Sequence, residues 1–312
     1  MKWALQITLT VLMLLVGSLS WSEDLSETGQ KQIYKALDRN LSHLSENGKK
    51  EMQRGQKEWR VFVDSFCSKN NLRHNYNNTN ECRADQYRKR LENLKLAVRN
   101  HNGLIVRRDE HIETIIIDVT DKVSGNQIKW ASQIMTAWPQ IDNPVQPAHY
   151  AWNKAMKQSV SNDAVIEGRV CDLWHHYELS FGRADIVSVY WSREHYCPNA
   201  AHGWADERYD NRVLSENRAL KAADVFNQKT DWVTFIKDRA VEDLNEQGKE
   251  GDLLLERPYL LSTIEDPVSW EINEKGITFN FGDVNGRAGG MYRAMITWDE
   301  MTPVLNDRRI KN

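Results

Sequence analysis

Four cysteines and two nearby histidines are the residues whose types and spacing could do chemistry in this 312-residue chain. The cysteines are Cys67, Cys82, Cys171 and Cys197. His195 and His202 flank the last of them at a spacing that zinc ligands can adopt. An even number of cysteines equally fits disulfides, and buried free thiols are a third reading. The choice depends on whether the chain is exported.

The first 22 residues have the order of a secretory signal peptide. Lys2 supplies a positive charge, residues 3–17 are mainly apolar, and small residues follow at Ser18 and Ser20, or at Ser20 and Ser22. The apolar run is shorter than the roughly 20 residues of a membrane-spanning helix, although short uncleaved anchors overlap with this pattern. We expect cleavage near residue 20 to 22 and export to the periplasm or the medium, with no transmembrane helix in the mature chain.

Export favours disulfides over free thiols or zinc. Four cysteines can pair in three ways. We favour the two local disulfides, Cys67–Cys82 and Cys171–Cys197, because each of them lies within a single predicted domain. The pair of Cys171 with Cys197 needs a bulge or an offset loop. A hairpin centred between Gly182 and Arg183 would place Cys171 opposite Glu194 instead.

No set of catalytic residues stands out in the sequence. It has no Gly-x-Ser-x-Gly, His-Glu-x-x-His or Walker motif. The glycines of 286–290 lack the strand-to-helix context of a phosphate loop. Many carboxylates could act as acid or base, but spacing singles out none of them. We therefore predict a protein that is not an enzyme and has no cofactor or metal.

Charge is unevenly distributed along the chain. The 41 basic and 44 acidic residues leave a net charge of −3, which does not indicate a nucleic acid as partner. Residues 23–102 carry a net +5 and residues 103–312 a net −9. The acidic part could attract a basic protein, whereas the basic part better suits anionic cell-wall polymers or membrane lipids.

Residues 23–102 are predicted to form a small helical bundle. Apolar residues recur at helical spacing from Leu25 to Leu44, and further helices are predicted over about 49–67 and 82–100. Gly48 is expected to follow the end of the first helix. A disulfide between the second and third helices would stabilise so small a domain.

His101-Asn102-Gly103 is interpreted as a domain boundary, after which the pattern changes to period two. Strands are predicted over 112–119, 127–138, 164–181, 184–197, 277–281 and 291–298, and helices over 148–160, 231–247 and 299–305. The predicted class is α+β: a small N-terminal helical bundle over 23–102, and a C-terminal antiparallel sheet with packed helices over 103–312.

The stretch of about 48–95 resembles a known family of small exported helical domains. Its matching residues are Gln56, Trp59, Arg60, Cys67, Cys82, Arg90 and Leu91. This order is similar to the pattern of the lysozyme inhibitor LprI-like family, in which a polar loop separates the two cysteines. Family members often have a further cysteine pair tied to the first helix, which this chain lacks. The resemblance implies binding to lysozyme.

A second resemblance covers about 130–305. Its carriers are Trp138-Pro139-Gln140-Ile141, Ala200-Ala201-His202-Gly203, Asn211, Leu220, Asp224-Val225-Phe226 and Ile277–Phe281. This pattern is similar to the extracytoplasmic domain shared by the RsiV anti-sigma factor and PdaC-type peptidoglycan deacetylases. In that family the module is not the deacetylase itself, and in RsiV it binds lysozyme. The family's loop before the last strand carries Pro and Tyr, which residues 282–290 lack.

Together the resemblances predict an exported envelope protein that binds, and inhibits, lysozyme-type muramidases. The candidate partner-binding residues are Trp204, Asp206, Glu207, Asp210, Asp283, Asn285 and Arg287. The alternative is a non-catalytic module that binds peptidoglycan, since nine tryptophans lie in 103–312. Tryptophan most often packs in a core, and Trp204 is the best candidate for an exposed ring.

Overall fold

A computed structural model of the protein describes residues 28–68, 76–122, 124–160, 164–166, 168–183, 185–249, 258–281 and 292–306. The predicted signal peptide lies outside the described residues, as do the candidates Asp283, Asn285 and Arg287. The predicted α+β class is confirmed, with helices and antiparallel strands in the same chain.

The chain divides into two compact units. The first comprises Met1–Asn143, Ser159–Trp174 and Glu194–Trp204, and the second comprises Pro144–Gln158, His175–Arg193 and Ala205–Asn312. The first unit therefore continues past residue 102, where we placed the domain boundary. The assignment of the two family-like domains stays a prediction.

Three helices and a sheet make up the first unit. The helices are α1 (28–41), α2 (Glu46–Phe66) and α3 (Thr79–Lys95). The strands are β1 (Val98–His101), β2 (Leu104–Thr120), β3 (Gln127–Ile141), β4 (Val165–Ile166), β5 (Arg169–Val170), the start of β6 (Asp172–Phe181) and the end of β7 (Ile186–Tyr196). The main sheet has the order β1-β2-β3-β6-β7, and β4 pairs with β5 separately.

Side-chain caps fix where α2 and α3 begin. Ser45 Oγ accepts a hydrogen bond from the N–H of Gly48 at 3.1 Å, and Asn78 Oδ1 accepts one from Glu81 at 2.9 Å. Gly48 thus lies in the first turn of α2. Our prediction that it follows the end of the first helix was wrong, because the Ser45 cap starts the next helix before it.

The segment His101-Asn102-Gly103 forms a tight hairpin turn. Asn102 and Gly103 have φ values of 51° and 83°, and His101 pairs with Leu104 across the turn. Two left-handed residues are the requirement of a type I′ turn, which Asn-Gly favours. The predicted third helix therefore ends at Lys95 rather than near residue 100, and the chain continues as β1.

The core of the first unit joins the helices to the sheet. Met52, Trp59 and Phe62 of α2 are buried in one apolar cluster with Ile112 of β2 and Ala131 of β3. The sheet therefore supplies one wall of the helical core, and the helices do not close a core by themselves.

The second unit has an open sheet, helices and a small three-stranded sheet. Beside parts of β6 and β7 it contains α4 (Pro147–Gln158), β8 (Trp204–Val213, from residue 205), β9 (Arg218–Ala219), α5 (Ala222–Val225), α6 (Trp232–Glu246), α7 (Pro258–Glu265), β10 (Trp270–Ile272), β11 (Gly276–Asn280) and β12 (Arg293–Thr297). The short helix predicted over 299–305 is a 3-10 turn over Thr302–Val304. Strands β10-β11-β12 are antiparallel neighbours.

Aromatic packing holds the core of the second unit. The rings of Phe226 and Trp232 stack at 4.4 Å, and Trp270 meets Phe226 edge-on at 5.5 Å. Gly276 of β11 lies against β12 so closely that a Cβ would collide with the backbone carbonyl of Ile296. Only glycine allows this approach of the two strands.

Both favoured disulfides are present. Cys67 and Cys82 are 5.6 Å apart between Cα atoms, and Cys171 and Cys197 are 4.2 Å apart. Such bonds are consistent with an exported protein. Within the described part of the chain, no helix is both long and apolar enough to span a membrane.

The offset that the second disulfide needs lies in the β6–β7 turn. The N–H of Gly182 donates to the carbonyl of Ile186 at 2.9 Å. The hairpin is therefore centred on position 184 and not between 182 and 183. This register, continued along the hairpin, places Cys171 opposite Cys197, in agreement with the disulfide between them.

Candidate functional site

Residues of the LprI-like pattern meet in the first unit, between α2 and α3. Arg90 Nε donates to Gln56 Oε1 at 3.0 Å, and its guanidinium lies 5.6 Å from the ring centre of Trp59. Arg90 and Trp59 are only 2% and 4% exposed. A buried arginine with these neighbours cross-links the two helices.

Arg90 is paired with a carboxylate that sequence reasoning missed. Glu110 of β2 accepts from both guanidinium nitrogens of Arg90, at 2.9 Å and 2.7 Å. Arg108 lies 3.4 Å from the same carboxylate. Burial acts to raise the pKa of Glu110, but the attraction of Arg90 and Arg108 outweighs it and lowers the pKa to about 2.

Of the remaining pattern residues, Cys67 and Cys82 form a disulfide, and Arg60 and Leu91 lie outside the ion pair. Arg60 is exposed and donates to the hydroxyl of Tyr34 at 2.8 Å. Leu91 packs partly buried against the apolar core of the unit. The pattern thus divides into buried cross-linking residues and one exposed arginine that a partner could reach.

A second buried charge cluster lies at the start of α2. Arg107 of β2 contacts Asp109 and Asp142, each at 2.8 Å. Asp142 also accepts from the N–H and hydroxyl of Ser45, at 2.6 Å and 2.8 Å. Burial raises the pKa of Asp109 despite the attraction of Arg107. The cluster joins the helix cap to the sheet.

Two glycines of α2 let these carboxylates reach the helix. A Cβ on Gly55 would lie 2.6 Å from Glu110 Oε1, and a Cβ on Gly48 would collide with Asp142. Both glycines face the sheet, one above each carboxylate. The charged clusters therefore require the close packing of α2 on β2.

Both clusters consist of ion pairs that join α2 and α3 to the sheet. Their carboxylates are paired with arginines and are almost fully buried. Cys197 forms a disulfide with Cys171, so it has no free thiolate to bind zinc together with His195 and His202. Among the described residues, no group of three or more His, Cys, Asp or Glu side chains could hold a metal ion.

The described candidate partner-binding residues all lie on β8. Asp206 and Glu207 are exposed, whereas Asp210 is half-buried and accepts from Arg212 at 2.9 Å. Trp204 is 52% exposed. Asp206 and Glu207 are therefore accessible to a partner, although Glu207 also accepts a hydrogen bond from Tyr190, whereas Asp210 is engaged in an internal ion pair.

Two tyrosines that sequence reasoning missed lie beside the acidic residues of β8. The rings of Tyr190 and Tyr209 are 5.1 Å apart. Burial, a hydrogen bond to Glu207 and its charge raise the pKa of Tyr190. Burial and the charge of Glu271 raise the pKa of Tyr209 to about 12. Both phenols stay neutral donors to carboxylates at physiological pH.

Comparisons with known proteins give distant structural similarity. No family model matches the chain, and no curated protein matches it. A DUF3298 family protein from Pseudomonas aeruginosa is 10% identical with a TM-score of 0.41, and a DUF3298 family member from Bacteroides fragilis is 16% identical with a TM-score of 0.37. Each comparison covers 63% of this chain and 94% of that chain.

Proposed function

We propose that this chain is an exported, non-catalytic binding protein that recognises and inhibits lysozyme-type muramidases. The two sequence resemblances support this proposal, because each leads independently to lysozyme. Two disulfides suit a protein that works outside the cytoplasm.

The exposed acidic part of β8 is the observation that carries the proposal. Asp206 and Glu207 are consecutive exposed carboxylates within the stretch of the RsiV-like resemblance. In the described part of the chain, β9 pairs with β8 only at Arg212 and Val213, so residues 205–210 have an open backbone edge. An open edge with two carboxylates offers a basic protein both charge and hydrogen-bond partners.

We expect the mature chain, residues 23–312, to bind hen-type lysozyme with an affinity that falls as salt rises. Surface charges interact over about 10 Å at 0.1 M salt and about 3 Å at 1 M. Calorimetric titration at both salt concentrations measures this dependence, and a muramidase assay measures inhibition. Absence of binding at both salt concentrations would refute the proposal.

Variants that remove carboxylate charges test whether lysozyme binds at β8. The pair Asp206→Asn and Glu207→Gln should weaken binding by about three- to tenfold, since an exposed ion pair contributes roughly 0.2–1 kcal/mol. The matched control is Asp238→Asn with Glu265→Gln, which removes two exposed charges from α6 and α7 of the same unit. Equal weakening by both pairs would mean that net charge, and not β8, attracts the enzyme.

Inhibition by binding alone predicts no turnover of cell-wall material. Incubation of the purified protein with peptidoglycan fragments should leave their chromatogram unchanged over hours. New products that form with the protein alone would make it an enzyme.

Binding to peptidoglycan is the second candidate function, and the exposed ring of Trp204 favours it. Sugar faces stack on such rings. If this function holds, insoluble peptidoglycan retains the mature chain, and Trp204→Ala reduces retention several-fold. The control is Tyr150→Ala, which removes another exposed aromatic ring, 59% accessible, from α4. Equal retention of all three proteins would exclude a role for Trp204.

A further inference from the structure

A cavity of about 280 Å³ lies in the first unit and shares no lining residue with the two buried charge clusters. It is bounded by the last turn of α1, the end of α3 and the β1–β2 hairpin. Pockets for small molecules start at roughly 300 Å³. The cavity therefore suits a small ligand.

Part of its wall is aliphatic, and a hydrogen bond between two helices supports it. Ala36, Leu94, Val98 and Ile105 line it, and Leu94 is almost fully buried. Asn40, only 8% exposed, donates from Nδ2 to the backbone carbonyl of Leu94 at 2.8 Å. This hydrogen bond ties α1 to α3 and fixes the shape of the cavity.

The ionisable side chains that line the cavity are all basic. Arg39, His43 and Lys95 line it together with neutral residues, and no carboxylate does. Neither Arg39 nor Lys95 forms an ion pair with any residue that the structure describes, whereas Arg54, Arg88 and other arginines of the unit do. Arg39 and Lys95 are exposed, so two permanent positive charges border the cavity without a carboxylate partner among the described residues.

The helix ends do not supply that counter-ion in full. Both α1 and α3 end here, and each contributes roughly half a negative charge at its C-terminus. Side chains already satisfy part of these ends, since Ser42 donates to the carbonyl of Arg39 and Asn40 to that of Leu94. Two full positive charges exceed the two partial negative ones.

We propose that this cavity binds a small amphipathic anion. Its anionic head, a carboxylate or a phosphate monoester, lies between Arg39, His43 and Lys95. Its short aliphatic chain covers Leu94, Val98 and Ile105. The positive charges favour an anionic head, and the apolar wall buries the ligand's aliphatic chain. We therefore expect tight binding only from a ligand that has both parts.

The test titrates the mature chain with four probes of one chain length: octanoate, octyl phosphate, octanol and octylamine. Calorimetry gives the affinities, and two-dimensional NMR identifies the residues whose signals shift. We expect the anions to bind at least tenfold more tightly than octanol, and octylamine to bind no better than octanol. The stronger of the two anions identifies the carboxylate or the phosphate head. Acetate and inorganic phosphate, which lack the chain, should bind weakly.

Variants of the lining residues test whether the probes bind in this cavity. Arg39→Gln with Lys95→Gln should weaken anion binding about tenfold, and Ala36→Leu, which fills the cavity without changing charge, should weaken binding of every octyl probe. Lys50→Gln with Lys57→Gln removes two exposed charges of α2 and should change nothing. Thermal melts check that each variant folds.

Three results would overturn the proposal. Octanol and octanoate could bind equally, which would mean that the basic residues serve only the helix ends. Ala36→Leu could fold and leave binding unchanged, which would place the probes elsewhere. All probes could also fail to shift any signal of Leu94, Val98 or Ile105 at millimolar concentration.

Discussion

Glu110→Gln should lower the free energy of unfolding by about 3–5 kcal/mol, which is the usual cost of removing one partner from a buried ion pair. The variant leaves Arg90 charged, 2% exposed and without its main counter-ion. Arg108 is then also left without that carboxylate. Urea titration followed by tryptophan fluorescence measures the loss.

Two further variants separate the ion pair from a general effect of charge on β2. Glu113→Gln removes an exposed carboxylate from the same strand and should change stability by less than about 0.5 kcal/mol. Arg90→Met combined with Glu110→Leu replaces the pair by apolar side chains and should recover most of the lost stability. A loss of similar size in Glu113→Gln would contradict this account.

The same ion pair predicts acid sensitivity. The pKa of Glu110 in the folded protein is about 2, below its ordinary value of 4.5. Its contribution to stability is therefore complete above about pH 4.5 and is lost as the pH falls towards 2. Asp109, whose pKa burial raises, acts with the opposite sign. The difference between wild type and Glu110→Gln isolates Glu110, and we expect it to shrink over this range.

A fragment that contains only residues 23–102 should not fold into a native structure, although this is the predicted helical domain. It lacks Glu110, the partner of Arg90, and the β2 and β3 residues Ile112 and Ala131, which belong to the helical core. It also lacks β2, with which β1 pairs. In the fragment, Arg90 has no carboxylate partner and the apolar core lacks its β2 and β3 residues. The helices therefore lose their tertiary packing.

Circular dichroism distinguishes the outcomes for this fragment. The helices can persist in part, since the Cys67–Cys82 disulfide stays within the fragment and limits the unfolded chain. Near-ultraviolet ellipticity of Trp59 and a cooperative melt should be present in residues 23–312 and absent from the fragment. A fragment with both signals would show that the helical segment is an independent domain.

These expectations give the LprI-like pattern a physical meaning. Gln56, Trp59 and Arg90 are buried together, so their first role in this chain is to join α2 to α3. Variants of these three residues report on stability. Arg60, which is exposed, is the pattern residue through which lysozyme contact can be tested without unfolding the unit.

Local signals in the sequence were sufficient for much of the architecture. Helical spacing located α2 and α3, because an amphipathic helix repeats its apolar positions every three to four residues. The export signal and cysteine spacing favoured both disulfides, which the structure contains. The Asn102-Gly103 turn carried its own hairpin signal, which we interpreted as a boundary because the pattern changes there.

The tertiary structure alone decided which charges are buried and which stay open. Glu110 and Asp142 resemble any other carboxylate in the sequence, and α2 can approach them closely because Gly48 and Gly55 have no Cβ. The pairing of Arg90 with Glu110 joins residues 20 positions apart, and that of Arg107 with Asp142 joins residues 35 apart. No periodic pattern encodes such contacts, since they depend on how elements pack and not on how each one forms.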